Sequence, residues 1–207
     1  MSKEGRRDFD SAARHWDEEP RRVKLAEEVV AAIRMEVPLN DGMEALDYGC
    51  GSGLVTLGLQ PYLKSITGAD SSQGMLEVLS GKVSERGIAN VQTKLLDLEE
   101  QANPGRGYDL IVSSMTMHHV EDVAALIGAL SQGVKRGGWL AVADLQAEDG
   151  SFHDNVTGVF HFGFEAGFLS STLQRCGLTE VRVVTAAVIE KPGERKYPVL
   201  LCVGKKP

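Results

Sequence analysis

Residues 45–59 read ALDYGCGSGLVTLGL, and how this stretch is read decides the fold. A short apolar run ends in the acid Asp47. Glycines follow at alternate positions, Gly49, Gly51 and Gly53, and an apolar helix-forming segment opens at Leu54. Glycine has no Cβ, so it accepts positive φ and lets another molecule approach the backbone closely. Between a buried strand and a helix N-terminus, such a loop is a cradle for a small nucleotide-like ligand.

Downstream, the same grammar repeats. Ser65-Ile66-Thr67-Gly68-Ala69-Asp70 reads as a strand ending in an acid 23 residues beyond Asp47. That is close to the offset of about 20 residues at which an acid reaches ribose hydroxyls in a βαβ nucleotide site. Two hydroxyls donating to one carboxylate make charge-assisted hydrogen bonds. A third acid, Asp97, closes the run 91–96 just before Leu98. Each acid also has a plainer reading. Asp47 fits a turn, Asp70 fits an N-cap ahead of Ser71 and Ser72, and Asp97 opens the acidic cluster Asp97-Leu98-Glu99-Glu100.

Around these motifs strands and helices alternate. Val23, Ala26, Val29, Val30 and Ile33 recur at helical spacing within a lead-in over 9–35, with Pro20 placed to start the helix. Strands are expected over 44–48, 65–70, 91–96, 108–113 and 139–144, and helices from Leu54 and over 73–84. A turn-rich Asn103-Pro104-Gly105-Arg106-Gly107 precedes the fourth strand. Val123, Leu126, Ile127, Leu130 and Val134 predict an amphipathic helix stopped by Gly137-Gly138. A last helix over 165–176 leads into two apolar runs, 179–190 and 198–204. The polar segment 191–196 between them makes the pair read as a hairpin. The alternation predicts an α/β architecture, a doubly wound sheet with helices on both faces and a ligand site at the strands' carboxyl ends.

The pattern D-x-G-x-G-x-G differs from the G-x-G-x-x-G of dinucleotide binders. It resembles motif I of the class I S-adenosylmethionine-dependent methyltransferases. The resemblance covers the chain from about Asp41 onward and implies a Rossmann-like seven-stranded sheet, mostly parallel, with an antiparallel C-terminal strand. Residues 41–207 would then form the S-adenosylmethionine-binding domain, and 1–40 a helical lead-in packed over the site. It also implies a donor site of Asp47, Tyr48, Gly49, Cys50, Gly51, Gly53, Asp70, Ser71, Met75, Asp97, Leu98, Ser113 and Ser114. In that site Asp47 lies near the methionyl ammonium, loop amides receive the methionyl carboxylate, and Asp97 accepts from the adenine amino group.

Ser113-Ser114-Met115-Thr116-Met117-His118-His119-Val120 follows the fourth strand. It is similar to the corresponding segment of small-molecule methyltransferases related to quinone-biosynthesis enzymes, which often carry paired histidines there. His119, His118 and Asp144 are the candidate catalytic residues, since imidazole serves as a base near neutral pH; packing beneath the ligand is the competing reading for both histidines. Phe152, Phe160, Phe162, Phe164 and Phe168 concentrate in and beside the insert after Asp144, which reads as an apolar lid or as ordinary helix–sheet packing. Trp16 reads as a residue closing the other side or as core.

Composition narrows the partners. The 207 residues carry a net charge of −7, 43% apolar and 25% charged residues, as expected of a globular chain. The acidic balance argues against a protein gripping many phosphates, so no nucleic acid is expected. The basic residues near the start (Arg6, Arg7, Arg14, Arg21, Arg22, Lys24) are interleaved with acids. No membrane span and no apolar leader core appear, so a cytoplasmic setting is the expectation. Three scattered cysteines make no disulfide framework, and no metal site with zinc-like spacing is expected. Cys50, beside a helix N-terminus where a thiol pKa falls, reads as packing. The motifs of amino-methylating and cytosine carbon-5 enzymes are absent.

Methyl transfer from a sulfonium needs mainly an in-line acceptor and, for some acceptors, removal of a proton. The leading expectation is a small-molecule methyltransferase, with oxygen, carbon, nitrogen or an inorganic centre as acceptor. Alternatives are a protein or tRNA methyltransferase, a catalytically silent S-adenosylmethionine-binding regulator, and, against the glycine spacing, a nicotinamide dehydrogenase. Oligomeric state stays open.

Overall fold

The computed structural model describes residues 8–97, 104, 105, 107–191, 193 and 195–207. Arg6, Arg7, Leu98, Asn103, Arg106, Pro192 and Glu194 lie outside the described residues. Seven strands form one sheet: β1 Glu44–Tyr48, β2 Ser65–Asp70, β3 Val91–Leu95, β4 Tyr108–Ser114, β5 Val134–Leu145, β6 Thr179–Lys191 and β7 Arg195–Lys205. Their order is β3-β2-β1-β4-β5-β7-β6. The pairs from β3 through β5 are parallel, and β7 runs antiparallel to both neighbours. The expected doubly wound sheet with its antiparallel final strand is what forms.

The helices are α1 Phe9–Ala12, α2 Pro20–Glu36, α3 Leu54–Leu59, α4 Gln73–Glu85, α5 Val123–Gly133 and α6 Ala166–Arg175. Pro20 stands at the start of α2, where its missing N–H costs nothing. Strand alternation sorts the core into two layers. Ala45, Leu110 and Val112 pack with Val29, Ile33, Leu59 and Leu79 of α2, α3 and α4. Leu46 and Ile111 face the other way, onto Leu126, Ile127 and Leu130 of α5 and Leu169 and Leu173 of α6. Among the described residues, no helix is long and apolar enough to cross a membrane.

One boundary differs from the sequence reading. The helix expected to continue through Val134 ends at Gly133, and β5 begins at once, with Val134 paired to Tyr108. A Cβ at Gly133 would come within 2.8 Å of Ile111 Cδ1 and 3.0 Å of the Gly105 carbonyl, so glycine lets the chain turn tightly against β4. Gly137-Gly138 lies inside the strand, where the pairing with β4 shifts register, and stops no helix.

Candidate functional site

The carboxyl ends of the strands open into a cavity of about 450 Å³. Its floor is the glycine loop after β1. Gly53 takes φ +85° at the start of α3, and a Cβ there would fall 2.3 Å from Leu79 Cδ1 in the core. Gly51 has φ +53° and, beyond Met75 Sδ at 3.9 Å, meets open space. A side chain there would occupy the cavity. At Gly51 the loop is left clear for another molecule.

The loop is rigidly held. Gly49 and Cys50 both donate N–H to the Ala69 carbonyl, at 2.7 and 3.0 Å, and Gly53 donates to Cys50. Gly51 donates to Asp70 Oδ2 at 2.8 Å. These four amides are therefore engaged within the protein.

Asp47, 1% exposed, accepts from Thr56 Oγ1 at 2.6 Å. Burial raises its carboxyl to about 7, the Thr56 hydroxyl opposes the rise and neighbouring Asp70 adds to it. Asp70 receives Ser72 N–H at Oδ1, 2.8 Å, besides Gly51. Burial holds it above the usual carboxylate range despite those amides. The helix cap is Ser72, whose Oγ accepts from Met75 N–H, so the N-cap reading of Asp70 fails by two residues. Asp97 is half-buried and borders the cavity, as do Tyr48, Cys50, Ser71, Met75 and Ser114. Burial, with Asp47 and Asp70 nearby, pushes the Cys50 thiol well up, so the helix N-terminus does not acidify it.

Three expected site residues fall elsewhere. Gly53 supports the turn and does not line the cavity. Ser113 alternates onto the face shared with Ile111, where its hydroxyl is buried without a hydrogen-bond partner among the described residues. Asp144 is likewise off the cavity wall. Its Oδ1 lies 2.7 Å from His118 Nδ1, its Oδ2 accepts His118 N–H at 3.2 Å, and Leu145 N–H donates at 2.8 Å. Burial works against its charge, but the His118 imidazole and these amides outweigh it, holding the carboxyl below the usual range. Leu98 lies outside the described residues.

His118 and His119 both border the cavity. The His118 ring is 3% exposed, 4.2 Å from His119 and 5.0 Å from His153 between centroids. His119 Nδ1 bonds the Gly158 carbonyl at 2.6 Å, which ties the insert to this turn. Of the insert and α6 phenylalanines, Phe152 and Phe160 reach the cavity. Phe164 is buried beneath α6, and Phe162 and Phe168 are 44% and 39% exposed, so the aromatic cover is narrower than the sequence suggested.

Another part of the wall comes from the N-terminal segment, and its anchors carried no sequence signal. Phe9, Trp16, Arg21 and Arg22 line the cavity. Asp10 Oδ1 accepts from Ser72 Oγ at 2.6 Å and Gly74 N–H at 2.8 Å. Asp17 accepts from Ser52 Oγ at 2.5 Å and pairs with Lys82, which also donates to the Ser52 carbonyl at 2.7 Å. Arg22 lies 3.8 Å over the Trp16 ring. Among the described residues, no group of three or more His, Cys, Asp or Glu is placed to hold a metal ion.

Comparison with known proteins identifies the family. A family profile described as "Methyltransferase domain" matches residues 19–177. With the motif I loop and acids in place, the chain belongs to the class I S-adenosylmethionine-dependent methyltransferase family. It is 32% identical over 161 residues to an uncharacterized methyltransferase of Schizosaccharomyces pombe, covering 70% of this chain and 57% of that one. It is 30% identical over 122 residues to a ubiquinone biosynthesis O-methyltransferase of Leptothrix cholodnii, covering 58% and 52%. The chain thus spans somewhat over half the length of these curated relatives. In structure, it resembles a chain from the complex of the Haloferax volcanii Trm112 methyltransferase activator. The TM-score is 0.76 at 17% identity, with 98% of this chain and 99% of that one covered.

Proposed function

We propose that this chain transfers a methyl group from S-adenosylmethionine to a small, largely apolar acceptor. The observation that carries the reading is the convergence of Asp47, Asp70 and Asp97, from the ends of β1, β2 and the β3 segment, on a cavity floored by the open Gly51 cradle. S-adenosylmethionine, when bound, supplies a methyl group on a sulfonium, whose positive charge already activates the leaving group.

This chain's residues do the holding. Asp70 offers its remaining acceptor capacity to ribose hydroxyls, and Asp97 borders the nucleoside side. Asp47 sits where an ammonium would draw off its proton and pair with the carboxylate. Arg22 brings to the wall positive charge of the kind a methionyl carboxylate requires, whereas Arg21 is paired with Glu19 at 3.0 Å. A small acceptor is supported by the cover on both sides. Phe9 and Trp16 of the N-terminal segment and Phe152 and Phe160 of the insert flank the cavity and give it aromatic walls suited to a ring. The name of the Leptothrix relative, an O-methyltransferase, points the same way.

Calorimetric titration with S-adenosylmethionine, followed by methyl-labelled turnover against small aromatic acceptors, tests the reading. Binding with transfer to a small ring compound is expected. Transfer only to protein or tRNA would overturn the acceptor class, and absence of binding would overturn the whole.

A further inference from the structure

Resting on that reading, the geometry points to an acceptor with an acidic hydroxyl, a phenol or an enol, whose proton is taken by His118 while Asp144 acts as a positioning residue. His118 is gripped twice by one carboxylate. Asp144 Oδ1 faces its Nδ1 at 2.7 Å and Oδ2 receives its backbone N–H at 3.2 Å. A carboxylate accepts only, so the proton on Nδ1 points at Asp144 and Nε2 carries the lone pair. Nε2 has no protein partner among the described residues, and the ring borders the cavity. The Asp144 pairing also stabilises the imidazolium formed when Nε2 accepts a proton.

His119 is placed differently, with Nδ1 tied to Gly158 and its ring under Phe9 at 5.2 Å. It fastens the insert. The turn is further fixed by Phe160 N–H, which donates to the His118 carbonyl at 2.9 Å. A base held this firmly, excluded from water, suits an acceptor that must lose a proton to become nucleophilic. A neutral amine needs no such loss before attack, and an aliphatic alcohol, a far weaker acid than a phenol, yields much less of its proton to an imidazole base before the methyl moves. Aromatic walls favour a ring bearing the hydroxyl. In the step, the acceptor O–H bond breaks and its proton bonds to His118 Nε2. The oxygen pair forms the O–CH₃ bond as the methyl carbon's bond to sulfur breaks. Its electrons stay on sulfur, which loses its charge, and the proton later leaves to solvent.

The test uses 4-nitrophenol, whose ionised form absorbs in the visible, with the full chain saturated by S-adenosylhomocysteine. Bound nitrophenol should ionise at a pH at least about one unit below that of the free compound, a tenfold shift in its acid equilibrium. The groups facing His118 are Asp144 from β5, His119 on its own turn and His153 from the insert. His118→Gln should abolish the shift, Asp144→Asn should diminish it, and His153→Gln should leave it. With labelled donor, His118→Gln should lose about 10²–10⁴-fold in turnover of an un-ionised phenol. It should lose far less on nitrophenol assayed where that compound is already ionised. Nitrophenol that fails to bind, binds without ionising, or shifts equally in His118→Gln would overturn the inference. The wild-type spectrum decides even if a variant misfolds. Donor affinity, read by calorimetry, separates the two claims. Its absence defeats the proposed function, whereas intact donor binding with an un-ionised phenol defeats only this step.

Discussion

Donor affinity should depend steeply on acidity through Asp47. The carboxyl is buried beside Asp70, with Thr56 as its short hydrogen-bond partner, and titrates at about 7 in the ligand-free protein. On the proposed pairing of the methionyl ammonium with the ionised form, a donor arriving below that value must first displace a proton. Each pH unit below about 7 then costs about tenfold, or about 1.4 kcal/mol, in affinity. The donor's own amino group loses its proton near about 8, which opposes the trend from the alkaline side. Together these give an affinity maximum between about pH 7 and about pH 8. They predict a rise of about 40-fold, about 2 kcal/mol, between about pH 5 and about pH 7. Calorimetry of S-adenosylhomocysteine in buffers of differing ionisation enthalpy should show proton release on the acid side. Asp47→Asn should bind more weakly at neutral pH and lose both the slope and the release. A flat wild-type profile, or an unchanged slope in Asp47→Asn, would refute the pairing.

Other outcomes follow from the same contacts. Asp70→Ala removes the acceptor for Gly51 and Ser72 N–H together with the proposed ribose partner, so donor affinity should fall by more than about tenfold; unchanged calorimetry would reject the assignment. Gly53→Ala combines φ +85° with a Cβ 2.3 Å from Leu79 Cδ1. Urea unfolding should show a loss of about 2–5 kcal/mol from left-handed strain and overpacking together, and a neutral result would remove Gly53 from the support of the turn. Asp10→Ala detaches the N-terminal segment from Ser72 and Gly74. Stopped-flow release of S-adenosylhomocysteine should quicken by about tenfold, in line with loss of a charged hydrogen bond; an unaltered rate would show that this segment does not gate the cavity.

Much of the fold was legible because its signals are local. Apolar runs of strand length, the glycine loop and the acids at run ends placed β1 to β4 within a residue or so. What escaped was set by register or by distance along the chain. Ser113 and Ser114 are chemically alike, and only the pairing of β4 decides which reaches the cavity. Asp144 ends its strand as expected, yet its side chain turns to His118, 26 positions earlier, a pairing no spacing rule marks. Asp10 and Asp17 carried no mark in the sequence because their partners lie on α4, at its cap and in the glycine loop. Val134 fits a helical stripe and a strand equally well, and its pairing with Tyr108 settles the choice.

The insertion of β7 between β5 and β6 bears on how the molecule is made. During synthesis, β5 and β6 emerge before the strand that will separate them, and each waits with an open ladder of amides and carbonyls. The part of β5 that waits for β7, Trp139 to Leu145, is apolar apart from Asp144, an invitation to clumping or to a premature β5–β6 zipper. Only when residue 205 clears the ribosome can these three of the seven strands lock. Production in cells should therefore be more sensitive to lesions in this closing strand than to damage in the early helices.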